Sequence, residues 1–155
     1  MPDLFLKFDP AIEGGSDNAK FAKQIEIESF SWGLSNPPFD GKVDLPAVQQ
    51  ELSLVGSVDR QSPKLFEACA KGSPFTTAEL SAVSDGEDAQ VFYKVVISDV
   101  VITSYQVSGS DGPGTPSESY SLTFRKLANE FRAQRPDGSL EAPIAAEFDF
   151  GAQRK

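Results

Sequence analysis

Residues 91–107 read VFYKVVISDVVITSYQV and are apolar on both parities. Val91, Tyr93, Val95 and Ile97 take odd positions, while Phe92 and Val96 take even ones. Successive side chains of a strand point to opposite faces, so a strand with one wet face shows apolar residues on one parity only. Such a run needs cover on both faces, from the rest of the fold or from another chain. The segment IEIESFSWG, residues 25–33, poses the same problem in sharper form. Ile25 and Ile27 are odd, whereas Phe30, Trp32 and the following Leu34 are even. A bulge near Glu28–Ser29 would switch the faces, and a subunit contact would make the switch useful.

Other segments alternate more simply. Leu4, Leu6 and Phe8 mark a first strand, and a polar loop follows it. Leu52, Leu54 and Gly56 oppose Glu51, Ser53 and Val55 in a strand over 49–58. Tyr120, Leu122 and Phe124 restart the alternation late in the chain, and Ala146, Phe148 and Phe150 close it. Asp85-Gly86 reads as a hairpin turn, and SGSDGPGTPSES as a flexible loop. One helix is signalled, in SPKLFEACAKG. Ser62 suits the N-cap, Pro63 the first helical position and Gly72 the left-handed position after the end. Leu65, Phe66 and Cys69 fall on its apolar face. SNPPFDG follows the Trp32 strand, and its prolines forbid further ladder pairing, so a projecting loop is expected. Phe39 at the tip of that loop belongs to no periodic core pattern.

The result is a mainly β fold, a small closed barrel of two packed antiparallel sheets with one short flanking helix. A chain of 155 residues fits a single domain over 1–155 and buries enough surface for its own core. Its 14 basic and 23 acidic residues give a net charge of −9, which disfavours nucleic acid and anionic membrane surfaces as partners. No apolar stretch approaches the roughly 18 residues of a membrane span. The opening MPDLFLKFDP lacks the pattern of a cleavable signal peptide.

Reactive chemistry is scarce. The chain has no histidine and one cysteine, which excludes Ser–His–Asp and Cys–His catalysis, histidine metal sites and thiolate clusters. No phosphate-binding glycine motif occurs, and DGPG lacks both the spacing and the following helix. Cys69 lies on an apolar helix face without a base and reads as a structural thiol. Asp85–Asp88 reads as a solvated turn rather than a calcium loop. Glu26 and Glu28 share a strand face as solvent or interface charges rather than as an acid–base pair. Phe30 and Trp32 read as core rather than as a ligand platform. No catalytic residue, cofactor or metal is expected.

The order of LFLKF, a polar loop, IEIESFSWG, LSLVGSVDRQSPKLFEACAKG, VFYKVVISDVVITSY, YSLTFRKL and IAAEFDF resembles the haemolysin-coregulated protein (Hcp) family of bacterial type VI secretion systems. Ser31-Trp32-Gly33 and the Ser62–Cys69 helix after a strand are the most specific markers. The resemblance implies a barrel assembled as a homo-hexameric ring. Rings stack into a tube, driven out by a contractile sheath behind a spike, and the lumen carries or chaperones effector proteins. It implies assembly in the bacterial cytoplasm and export without a cleaved signal peptide. On this reading Phe30 and Trp32 enter the core. Ser29 and Ser31 are candidates for the lumen wall. Asn36, Pro37, Pro38, Phe39, Asp40, Gly41 and Lys42 are candidates for ring stacking, with Phe39 as anchor.

Two features depart from the family pattern. The stacking loop carries prolines and no histidine, and KLANEFRAQ is less strand-like than the alternating segment expected there. The chain ends at Lys155, shortly after the last strand, so no fused toxin domain is expected. A monomeric β-barrel module for a small apolar ligand is the competing reading. An enzyme is a third, and loss of an activity in Cys69→Ala would be needed to support it.

Overall fold

The computed structural model describes residues 3–36, 47–84 and 90–151. In chain order the elements are β1 (Asp3–Asp9), β2 (Ile25–Ile27), β3 (Ser29–Ser31), β4 (Leu34–Ser35), β5 (Val48–Gln49) and β6 (Leu52–Ser57). Helix α1 (Ser62–Lys71) follows, then β7 (Pro74–Val83), β8 (Val91–Ser108), β9 (Ser117–Thr123), β10 (Lys126–Phe131) and β11 (Ile144–Asp149). Nine strands form one antiparallel sheet in the order β2-β1-β7-β8-β9-β6-β3, with β10 pairing β8 and β11. The remaining β4 and β5 form a separate two-stranded ribbon.

The expected closed barrel of two packed sheets is therefore corrected to one curled sheet and a ribbon. No ladder joins β2 to β3 among the described residues. The curl brings β2 over β6, where the Glu26 carbonyl comes so close that a Cβ on Gly56 would lie 3.0 Å from it. Glycine within β6 suits that approach, since a Cβ there would push the Glu26 carbonyl back by a few tenths of an ångström. The Glu28 amide then bonds the Val55 carbonyl at 2.8 Å, which turns the chain from one margin of the sheet to the other.

The parity switch of IEIESFSWG is that turn. Ile25 and Ile27 are buried in β2, which pairs with β1. Phe30 and Trp32 pack against the same core, and Phe30 is opposite Leu54 of β6. Both apolar sets face inward because the strand breaks at Glu28. The second face needs no partner.

The long strand β8 solves its two-parity problem in the same way. Val95 and Ile97 are buried on odd positions, Val100 and Ile102 on even ones. Between them Asp99 adopts φ 57°, a left-handed conformation that Asp tolerates better than a branched residue. The register with β9 shifts again between Ile102 and Ser104, and Tyr105 returns to the core side. Bulges of this kind re-aim side chains without ending a strand. Phe92, Val96 and Val101 stay half-buried on the outward face. KLANEF is a regular strand despite its composition, held between β8 and β11. Its pairing on both sides overrides its weak intrinsic preference.

Helix α1 packs on β8 through Leu65 and Ala68. Phe66, expected on that face, is 63% exposed, because one residue of helix turns it about 100° away from Leu65. Cys69 is half-buried against the core. Gly72 ends the helix at φ 64°, and its amide and the next one cap the last turn. Gln61, not Ser62, holds the N-cap position, with no side-chain cap bond. The Ser62 hydroxyl is committed elsewhere.

Candidate functional site

The outward face over β3, β6, β9 and the second half of β8 is covered with small hydroxyls. Register builds it row by row. Ser31 lies opposite Ser53, Ser53 opposite Ser121, and Ser121 opposite Ser104. In the next row Ser29 meets Val55, Val55 meets Ser119, and Ser119 meets Gln106. A third row runs from Ser57 through Ser117 to Ser108. Hydroxyls of adjacent strands stand close, with Oγ atoms 3.5 Å apart in Ser53–Ser121 and 3.3 Å apart in Ser108–Ser117. No charged side chain belongs to these rows. The outward face over β1, β7 and β8 differs, since Lys7 and Lys94 pair Glu79 at 3.5 and 3.3 Å. The face thus divides into a neutral, hydrogen-bonding half and a charged half.

Period two explains the division. The serines of β6 and β9 alternate with core residues: Leu54 stands between Ser53 and Val55, Tyr120 between Ser119 and Ser121. The serines stand outward because their neighbours are buried. Such a surface is short-chained, with charge only at its margins, where Glu28 accepts from Ser57 and Glu51 from Thr103, so its middle can contact many molecules without a deep hydrophobic or ionic hold.

Under this face lies a buried carboxylate. Glu118 occupies the inward parity of β9, two residues before Tyr120, and is 1% exposed. It accepts hydrogen bonds from Ser62 Oγ at 2.6 Å, Gln61 Nε2 at 2.7 Å and Tyr105 Oη at 2.8 Å. Ser62 Oγ also accepts the Asp59 amide at 3.0 Å, which is why it does not cap the helix. The carboxylate sits at the positive N-terminal end of α1, where negative charge is favoured. Burial, and then the hydrogen bond to Glu118, pushes the Tyr105 phenol up to about 12. The network joins helix, β8 and β9 behind the serine rows.

The β4–β5 ribbon lies after Trp32. Leu34 pairs Gln49 and Ser35 pairs Val48, so Leu34 and Val48 stand on opposite faces. Both are exposed, at 53% and 52%. Gln49, on the Leu34 face, ties the ribbon to the domain by donating to the Phe124 carbonyl at 2.7 Å, yet an apolar residue stays open on each face. The ribbon is the base from which the predicted loop departs.

The structure places Ser29 and Ser31 together on the hydroxyl face, both exposed. Asn36 is exposed just beyond β4. Pro37, Pro38, Phe39, Asp40, Gly41 and Lys42 lie outside the described residues, as does the Asp85-Gly86 turn. Sequence reasoning missed the serines of β6, β8 and β9, although their spacing at every second residue was a visible signal. It also missed Glu118, an acidic residue on the apolar parity of 118, 120, 122 and 124. Among the described residues, no group of three or more His, Cys, Asp or Glu side chains is arranged to hold a metal, and no helix is long and apolar enough to cross a membrane.

Comparison with known proteins agrees with this geometry. The family described as "Type VI secretion system effector, Hcp" matches residues 5–131. Protein hcp1 of Pseudomonas aeruginosa is 27% identical over 148 residues, covering 90% of this chain and 88% of the relative. A solved type six secretion system protein superposes with a TM-score of 0.91 at 25% identity, over 100% of both chains. Hcp1 from Salmonella typhimurium superposes with a TM-score of 0.81 at 26% identity, over 99% of this chain and 97% of that one. The chain, with its curled sheet, single flanking helix and two-stranded ribbon, belongs to the Hcp family of type VI secretion systems.

Proposed function

We propose that this chain is a tube subunit that forms hexameric rings as a single domain, stacks them, and turns its serine rows toward the lumen. The hydroxyl face carries the reading. A channel that passes or shelters varied effectors needs a wall without strong ionic or apolar holds. In this reading Ser29 and Ser31 line the lumen together with Ser53, Ser104 and Ser121. The β4–β5 ribbon, with Leu34 and Val48, carries residues 36–42 to the next ring, and Phe39 anchors that contact. Spike, sheath and effector proteins are the partners. The subunit assembles in the bacterial cytoplasm and leaves the cell without a cleaved signal peptide. No step of this function is catalytic.

The reading is tested in two stages. Light scattering after size exclusion, with negative-stain images, should give rings with open centres. Ser31→Cys in a Cys69→Ala background, labelled with a maleimide gold cluster, should then place density at the ring centre. Gold on the outer rim would refute the lumen assignment. An apolar-ligand module is not favoured, because the cavity of about 480 Å³ beside β1 and β2 is rimmed by carboxylates.

A further inference from the structure

The four strand segments of the hydroxyl face, residues 29–31, 51–57, 103–108 and 117–123, contain no lysine and no arginine. Charge reaches that face at two places only, one at each end of β6. Leu52 and Leu54 are buried, so the parity of Glu51, Ser53, Val55 and Ser57 faces outward. Glu51 is exposed just before β6 and accepts the hydroxyl of Thr103 on β8. At the other end Glu28 accepts the Ser57 hydroxyl at 2.7 Å. Residues 51 and 57 are six positions apart, roughly 20 Å along an extended strand. The three hydroxyl rows fill the span between the two carboxylates.

A hydroxyl carries no formal charge, so these hydrogen bonds orient the carboxylates without neutralising them. Neither carboxylate forms an ion pair among the described residues. The chain segments that flank the two ends do not compensate them either. Beside Glu51, segments 32–36, 47–50 and 124–125 hold one charged residue, Arg125, and it pairs Asp149 at 3.1 Å. Beside Glu28, loops 58–61 and 109–116 add two further carboxylates, Asp59 and Asp111, and one cation, Arg60, which pairs Glu13 at 3.5 Å. Both ends of the hydroxyl face are therefore negative, and its middle is neutral.

Cyclic symmetry repeats every residue once per subunit. A lumen lined by this face carries one belt of Glu51 carboxylates and one of Glu28, with hydroxyls between. Like charges around an aqueous passage add their potentials, and low-dielectric walls focus the field. We propose that Glu51 and Glu28 select cargo by charge, so that the lumen accepts basic and neutral polypeptides and repels acidic ones. This rests on the lumen reading of the serine rows.

Ser31→Cys in a Cys69→Ala background places one thiol among the hydroxyl rows. Two maleimide-capped peptides of equal length, one lysine-rich and one glutamate-rich, are the probes. Each rate of labelling in assembled rings is taken relative to the rate with free cysteine. At about 10 mM salt, where the Debye length is about 30 Å, the lysine-rich probe should be favoured roughly tenfold or more. The preference should disappear at 1 M salt. Glu28→Gln/Glu51→Gln, checked as rings by light scattering, should remove most of it, and each single variant part of it. Glu130→Gln/Glu147→Gln, an equal change of charge on β10 and β11 where each carboxylate pairs a lysine, should leave it in place. No preference in the wild type, or one that survives in the Glu28 and Glu51 variants, would overturn the charge selection and leave the ring and lumen readings standing. Gold at the outer rim on the same cysteine, or a wild type that forms no ring, would overturn the lumen reading itself.

Discussion

Replacing Glu118 with alanine removes the acceptor of three hydrogen bonds of 2.6–2.8 Å. Hydrogen bonds to a charged group contribute roughly 1.5–3 kcal/mol each, so simple addition gives roughly 4.5–9 kcal/mol. That sum is an upper bound, since the donors retain other options. Ser62 Oγ keeps the Asp59 amide, Gln61 Nε2 keeps the Ser57 carbonyl, and Tyr105 is only half-buried and reaches water. A loss of about 3–5 kcal/mol is expected, a large part of the ~5–15 kcal/mol that stabilises a typical domain. Glu118→Gln should cost less, about 1–2 kcal/mol. Its carbonyl can serve Gln61, and the Ser62 and Tyr105 hydroxyls can turn to accept from its amide. Urea unfolding, followed by Trp32 fluorescence and far-UV CD at one fixed protein concentration, measures both variants. Glu118→Ala within about 1 kcal/mol of the parent would refute the idea that this network holds α1 to the sheet. Glu118→Gln as damaging as alanine would show that the charge, not the geometry, is what α1 requires.

Other consequences follow from burial and backbone. Leu65→Ala should cost about 2–5 kcal/mol in the same denaturation assay, whereas Phe66→Ser should change stability by no more than about 0.5 kcal/mol. Asp99→Val should destabilise by at least ~1–2 kcal/mol, since a branched residue resists the left-handed conformation, and Asp99→Gly should stay near wild type by thermal melting. Tyr105 has a folded pKa raised above the unfolded value of about 10. Its contribution is thus fully present below pH ~10 and is lost as pH rises through about 12. Burial also pushes Tyr93 up and Tyr120 well up, so phenolate absorbance during alkaline titration should show late ionisation throughout, with Tyr105→Phe removing the step near pH 12 and leaving the Tyr120 step in place.

Much of the fold was legible because its signals are local. Leu52 and Leu54, or Tyr120 and Leu122, announce a buried parity within a few residues, and the structure buries all four. Pro63 and Gly72 bracket the helix, because ring closure and left-handed φ are properties of single residues. The Ser62 cap failed because the helix begins one residue earlier and the hydroxyl is taken both by the nearby Asp59 amide and by a carboxylate 56 residues away in sequence. The face switch of IEIESFSWG falls at Glu28, where the expected bulge was placed, and a turn there brings both apolar sets inward within one chain.

The candidate site shows the same boundary. Alternation alone set Ser29 and Ser31 against Phe30 and Trp32, since opposite faces of a strand are an intrinsic property of extended backbone. That Ser31 should stand in line with Ser53, Ser121 and Ser104 was decided only by pairing. Ladder hydrogen bonds join peptide groups that are the same in nearly every residue, so strand order and register carry little trace in any one segment. They are settled when the whole core packs at once. The sequence by itself determined which side of each simply alternating strand is wet; the tertiary structure alone settled β8, whose inward side changes at Asp99, and decided that the wet sides of four strands form a single hydroxyl surface.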